Sequence, residues 1–100
     1  MKESFQYTFE WNPKKATANQ RKHGVGFEQA ALVFSDPLAL SIYDDEHSDT
    51  EERWITLGKT QDGTLVVVHT YREINDNETL IRIISARKAT KQEQQQYEAQ

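Results

Sequence analysis

The sequence predicts a single α+β domain: a small antiparallel β-sheet with two helices near the amino terminus and one at the carboxyl terminus, in the order β-α-α-β-β-β-β-α. Three observations carry this. Phe5, Tyr7 and Phe9 alternate with polar residues, as in a half-buried strand. Asp62-Gly63 between two apolar runs is a hairpin signal. Thr90-Lys91-Gln92-Glu93 has the spacing of a capping box at a helix start. One hundred residues suffice for one core and are too few for two. The domain is therefore taken as 1–100, with 1–4 expected to be flexible.

Trp11 keeps the phase of the first strand, and Asn12-Pro13 opens a helix, Asn as the cap and Pro where its missing N–H costs nothing. That helix runs through Lys14 to Lys22 with Ala16 and Ala18 as its only apolar residues, so it is expected to be largely exposed. Gly24 stops it. Phe27, Ala30, Ala31 and Phe34 fall on one helical face and predict a core-facing second helix, ended by Asp36-Pro37. Leu38 to Tyr43 reads as a short strand. Arg53 to Lys59 and Leu65 to Tyr71 form the hairpin, Asn75-Asp76-Asn77 marks a turn, and Thr79 to Ala86 is the last strand before a helix over Lys91 to Ala99. No internal repeat appears.

Composition narrows the chemistry. The chain has no cysteine, which excludes disulfides, thiolate catalysis and Cys-based zinc sites. There is no apolar run of membrane-spanning length, and Met1-Lys2-Glu3-Ser4 does not lead into a signal-peptide core, so a soluble cytoplasmic protein is expected. The net charge is −4, but six of the sixteen acids (Asp44, Asp45, Glu46, Asp49, Glu51, Glu52) lie in one nine-residue stretch without a Lys or Arg. Setting those six aside leaves ten acids against twelve bases, with Arg82, Arg87, Lys88 and Lys91 close together. A local patch, not net charge, decides where an anion binds. The acidic stretch is either a solvated linker or a dock for a basic partner.

A two-residue turn at Asp62-Gly63 would set Thr56 opposite His69 and Trp54 opposite Tyr71. One face of the hairpin then carries Ile55, Leu57, Val66, Val68 and Thr70 and reads as core; the other carries Trp54, Thr56, Val67, His69 and Tyr71. If Asp76-Asn77 is also a two-residue turn, Tyr71 opposes Arg82 and His69 opposes Ile84, which brings Arg82 onto the His69 face. A one-residue change in that turn would reverse its side.

An imidazole, a guanidinium and two aromatic rings on an open sheet face suit RNA. Rings stack unpaired bases, Arg pairs with phosphate, and His moves protons near neutral pH. Metal-free cleavage needs a base for the 2′-hydroxyl, cations for the phosphorane and a proton for the leaving oxygen. In that reading Arg82 and Arg53 stabilise charge, His69 or His23 moves the proton, Trp54 and Tyr71 stack bases, and Lys22, Arg87, Lys88 and Lys91 hold the backbone. The competing reading is a second apolar layer under the last helix, with His69 merely hydrogen-bonded. Lys22-His23-Gly24 likewise suits the negative end of a helix without any catalytic role. Arg53 and Arg72 fall opposite each other, a like-charge pair that Glu51, Glu52, Glu73 or a bound anion must neutralise. His23, His47 and His69 lack metal-ligand spacing, Asp45 to Asp49 lacks the glycine and closing glutamate of a calcium loop, and neither a phosphate loop nor a nucleophile elbow occurs. No metal or cofactor is expected.

Phe9-Glu10-Trp11-Asn12-Pro13-Lys14, Asn19, Lys22-His23-Gly24-Val25, Phe27, Ala30, Asp36-Pro37, Arg53, Gly58, Val66-Val67-Val68 and Arg82-Ile83-Ile84-Ser85-Ala86-Arg87 with Ala89, Glu93 and Tyr97 resemble the BrnT family. These are ribonuclease toxins of bacterial type II toxin–antitoxin systems. Where the family usually has Asp after Trp, this chain has Asn12. The resemblance implies a RelE-like fold, metal-independent RNA cleavage that halts growth, and neutralisation by a BrnA-like ribbon-helix-helix antitoxin. It further implies two toxins on one antitoxin dimer, with operator DNA bound through the antitoxin. By residue type and place it marks Arg53, Arg82, Arg87 and Tyr97. A non-catalytic module that docks an acidic partner through its basic face is the alternative, and a direct DNA-binding regulator a third.

Overall fold

The structure, a computed structural model, describes residues 5–100. Residues 1–4, expected to be flexible, lie outside the described residues. Five strands form one sheet in the order β1-β5-β4-β3-β2: β1 Gln6–Glu10, β2 Leu40–Tyr43, β3 Trp54–Thr60, β4 Gly63–Asn75 and β5 Glu78–Lys88. The helices are α1 Pro13–His23, α2 Phe27–Ala31 and α3 Lys91–Glu98, with short 3-10 turns at Leu32–Ser35 and Asp45–His47. The α+β class and the order of elements follow the sequence, but the sheet is mixed: β1 runs parallel to β5. Turn-linked strands must be antiparallel, whereas the helices after β1 free its direction.

Local signals act where the chain places them. Asn12 caps α1 by accepting from the Lys14 and Lys15 N–H groups at 2.8 and 3.2 Å. Gly24 closes it with a φ of 71°, which its missing Cβ permits. The stripe begun by Phe27 tightens into the 3-10 turn, so Val33 joins Phe27 and Ala30 in the core and Phe34 is only partly buried. Thr90 and Glu93 complete both halves of the capping box. α1 is largely exposed as its composition requires, with one exception, Asn19, which is buried. Its amide nitrogen donates to the carbonyls of Ala86 (2.8 Å) and Val25 (3.0 Å), and its oxygen accepts from the Ala86 N–H (3.1 Å). β1 ends opposite Arg82, so the Asn19 amide satisfies the free edge of β5 where no strand continues.

The hairpin turn falls one residue earlier than expected. Thr60 pairs with Gly63 around Gln61-Asp62, and Gly63 takes the positive φ of 111°. A turn centred on Asp62-Gly63 would need positive φ at Asp62, and no described non-glycine residue adopts it. Trp54 therefore opposes His69, and Thr56 opposes Val67. The pairing partners shift by two, so the two face sets survive, but their roles do not. The main core lies on the Val67 and His69 face, where Leu65, Val67, Ile81, Ile83 and Ala86 meet Val25, Phe27, Ala30 and Val33. The Ile55, Leu57 and Val66 face carries a smaller cluster under Tyr97 of α3. Gly58 marks the closest approach: a Cβ there would come within 2.6 Å of the Val33 Cβ.

Between β4 and β5 the turn at Asp76-Asn77 forms as expected, with Asn75 opposite Glu78, yet the register slips at Glu73–Asn75 and returns at Val68–His69. Within the slipped stretch His69 opposes Ile83, Tyr71 opposes Ile81, and Arg82 opposes Thr70. Arg82 is thus on the face opposite His69 and Tyr71, which corrects the shared face inferred from the sequence. Residues Ile74 and Ile84 are the unpaired insertions, and each turns the alternation over.

Candidate functional site

Arg82 stands between two neighbouring clefts. One, about 240 Å³, is lined by Glu10, Glu51, Glu52, Thr70, Tyr71, Arg72, Leu80 and Arg82. The other, about 360 Å³, is lined by Asn12, Lys15, Glu51, Arg53, Arg82, Ile83 and Ile84. β1 supplies Glu10 beside Arg82, the first turn of α1 supplies Lys15, and Arg53 enters from the residue just before β3. Four cations therefore converge: Lys15, Arg53, Arg72 and Arg82. Glu51, from the acidic stretch, faces both clefts and is ion-paired with Arg82. The expected Arg53–Arg72 opposition does not occur, because β3 pairing begins at Trp54 opposite His69 and Arg72 lies beyond it, opposite Leu80.

The remaining candidates are dispersed. His69 is 2% exposed and packed against Phe34, ring centroids 4.8 Å apart. Its Nδ1 meets the Thr70 carbonyl at 3.1 Å and its Nε2 the Thr56 hydroxyl at 2.7 Å. A carbonyl only accepts, so Nδ1 carries the proton and Thr56 donates to Nε2. Burial lowers the imidazole pKa from 6.5 to about 4, which keeps it neutral. His69 is a structural hydrogen-bonding residue on the other side of the sheet from Arg82. His23 ends α1, eight residues or roughly 12 Å along the helix from Lys15, and it lines neither cleft. Lys22 is exposed beside it.

Arg87 grips Glu93 through both guanidinium branches at 2.8 and 2.9 Å and anchors α3 to β5. The Arg87 hydrogen bonds hold the Glu93 carboxyl down at about 2. Tyr97 is buried, and its hydroxyl donates to Asp36. That bond to the Asp36 carboxylate raises the phenol to about 12. Arg87 and Tyr97 are therefore committed to holding α3, which departs from the exposed RNA-contacting surface expected of them. Lys88 and Lys91 are exposed at the end of β5 and the start of α3. Trp54 lines a further, aromatic cleft with Tyr7, Phe34, Ser41 and His69, and Tyr71 lines both this cleft and the first.

Sequence reading gave Lys15 no place at this site, offered Glu51 only as one possible neutraliser of Arg53 and Arg72, and held Asn19 only as part of the family resemblance. Lys15 could have been found from the Asn12 cap, which aims the first helical turn. The second slip, at Ile84, left a trace: the buried positions Ile81, Ile83 and Ala86 are spaced two and then three apart.

A mixed five-stranded sheet with α1 and α2 on one face and α3 on the other, and with Lys15, Arg53, Arg72 and Arg82 lining two adjoining clefts, defines a small α+β domain. A family model described as the ribonuclease toxin BrnT of type II toxin–antitoxin systems matches residues 11–93, and the chain belongs to that family. Comparison with curated proteins gives no match. The toxin–antitoxin family implies a protein antitoxin as partner. No helix among the described residues is long and apolar enough to cross a membrane.

Proposed function

We propose that this protein is a metal-independent endoribonuclease that cuts RNA in the cleft around Arg82, inhibiting translation and growth until an antitoxin binds it. The convergence of Arg82, Arg53 and Lys15 on one cleft carries the reading. A phosphodiester seated there meets cations from α1, from β5 and from the residue leading into β3, before charge develops on its oxygens. The neutral, doubly bonded His69 does not reach that cleft, so the base is a carboxylate. Glu51 accepts the 2′-hydroxyl proton as the 2′-oxygen bonds to phosphorus. The bond from phosphorus to the 5′-oxygen breaks, that oxygen takes a proton from water, and a 2′,3′-cyclic phosphate remains. Arg82 and Arg53 stabilise the phosphorane, and Arg72, Lys88 and Lys91 supply longer-range attraction for the backbone.

In this reading the domain has a RelE-like fold and acts in the cytoplasm. A BrnA-like ribbon-helix-helix antitoxin neutralises it as two toxins on one antitoxin dimer, and operator DNA is bound only through the antitoxin. The second reading, a non-catalytic module for an acidic partner segment, is favoured by one observation: Arg82 already holds a carboxylate.

Purified protein incubated with RNA and EDTA decides between them. Cleavage should occur, and Arg82→Ala and Arg53→Ala should each slow it by about 10² to 10³-fold, the usual cost of one charge-stabilising donor. Intact RNA, or cleavage by both variants as fast as by the unsubstituted protein, overturns the proposal. Growth arrest on induction, relieved by the partner gene, tests the toxin role separately.

A further inference from the structure

We propose that the aromatic cleft formed by Tyr7, Phe34, Ser41, Trp54, His69 and Tyr71 binds one unpaired nucleobase and sets which RNA sequence the enzyme prefers. The inference rests on the ribonuclease reading above and extends it to the sheet face opposite Arg82. α1 and α2 cover only part of that face, leaving Tyr7 37% and Tyr71 53% exposed. The rings form a continuous wall: Tyr7 to Phe34 at 5.9 Å, Phe34 to His69 at 4.8 Å, His69 to Tyr71 at 6.1 Å and Tyr71 to Trp54 at 6.0 Å. No side chain lining it bears a charge at neutral pH. A flat, uncharged heterocycle suits such walls, and stacking tolerates any base.

The floor adds direction. Because the Thr70 carbonyl fixes the proton on Nδ1 of His69, Thr56 donates to Nε2 and must accept from the Ser41 hydroxyl at 2.8 Å. The Ser41 hydrogen is thereby spent inward, and its oxygen presents only acceptor lone pairs to the cleft. The cleft thus favours a base edge that offers an N–H. Tyr71 also lines the cationic cleft, so the two sites share a wall at β4. Arg82 and Arg72 lie on the opposite sheet face, so a strand that uses both sites passes around the β4 edge at Tyr71, beyond the end of β3 pairing.

The test uses the full chain and four-nucleotide single-stranded RNAs of each homopolymer, with an abasic tetramer of equal charge as control. Trp54 fluorescence should be quenched by base-bearing tetramers and not by the abasic one, and Trp54→Phe should remove most of the signal. Tyr71→Ala should weaken binding by about tenfold or more, as loss of one stacking ring does. Ser41→Ala should change the order of preference among the four tetramers. Equal binding of abasic and base-bearing tetramers, or binding unchanged in Tyr71→Ala, overturns the proposal. Shielding of Trp54 from acrylamide by a co-purified protein but by no tetramer overturns it in favour of a protein-docking face. If Arg82→Ala abolishes cleavage while Tyr71→Ala and Ser41→Ala leave rate and sequence preference unchanged, the ribonuclease reading stands and the nucleobase site falls. Quenching without any cleavage keeps the base site and removes the catalytic reading.

Discussion

Glu51 is ion-paired with Arg82, which ties the acidic stretch to the strand that carries the cationic cleft. The pair is open to solvent, with side-chain exposures of 42% and 39%, so it contributes little to stability. Its importance is positional. A carboxylate occupies the place a phosphate oxygen would take, and Glu10 and Glu52 line the same cleft. The net negative charge of the chain and the local demand for an anion meet at this contact.

Glu51→Gln separates binding from chemistry. Removing the negative charge should strengthen RNA binding severalfold, because phosphate no longer competes with a carboxylate for Arg82. The same change removes the proposed base and should slow cleavage by about 10² to 10⁴-fold. Unfolding free energy should move by less than about 1 kcal/mol. Filter binding and single-turnover cleavage on one RNA read the two effects. A variant that binds more tightly and also cleaves faster would make Glu51 only an inhibitor.

Asn19→Ala should destabilise the fold far more than its place on an exposed helix suggests. The substitution leaves the Ala86 N–H and carbonyl without their partner at a buried position. Each orphaned buried group costs about 1–3 kcal/mol, so a loss of about 2–4 kcal/mol is expected. For a domain of this size that lowers Tm by roughly 10–20 °C. Thermal unfolding followed by circular dichroism measures it. A shift under about 3 °C would mean that water replaces the amide.

Elements with strong local causes were legible in the sequence. Asn12, Gly24 and the Thr90–Glu93 box each act through bonds within four residues, so their geometry follows from spacing. The face that Arg82 occupies was not legible in the same way. Turn chemistry correctly placed Asp76-Asn77, but the unpaired insertions at Ile74 and Ile84 also set the register, and no turn residue specifies them. Which hairpin face is the deeper core was also settled elsewhere, by the packing of Phe27, Ala30 and Val33 onto Val67 instead of Val66. Helices separated in sequence from the hairpin decide that, and the alternating pattern of β4 reads as apolar on both faces.

Stability should fall with acid in two separate windows. His69 has a folded pKa depressed from 6.5 to about 4 by burial. The unfolded chain therefore binds its proton first, and stability is full above about pH 6.5 and falls toward pH 4. The imidazole is 2% exposed, so the loss approaches the linkage limit, on the order of 3 kcal/mol across the window. His69→Gln should flatten this window, whatever it costs at neutral pH. Urea unfolding at half-unit steps from pH 7 to 4 shows the slope, and an equal slope in the variant would refute the assignment.

Glu93 governs the lower window. Its carboxyl is depressed from 4.5 to about 2, first by the Arg87 hydrogen bonds and then by the Thr90 N–H. The folded state holds the charged form, so the contribution is complete above about pH 4.5 and disappears as pH falls toward 2. Arg87 is 41% exposed and Glu93 25%, so solvent screening reduces the pair to about 1 kcal/mol. The readout is also local, since Glu93 joins the Arg87 clamp to the Thr90 cap. Glu93→Gln should lose the acid dependence below pH 4.5 while the His69 window persists. Because Tyr97 also holds α3 through Asp36, amide exchange in α3 should rise before global unfolding in that variant. Exchange that rises only with global unfolding would show that Tyr97 and Asp36 anchor the helix without the Arg87–Glu93 pair.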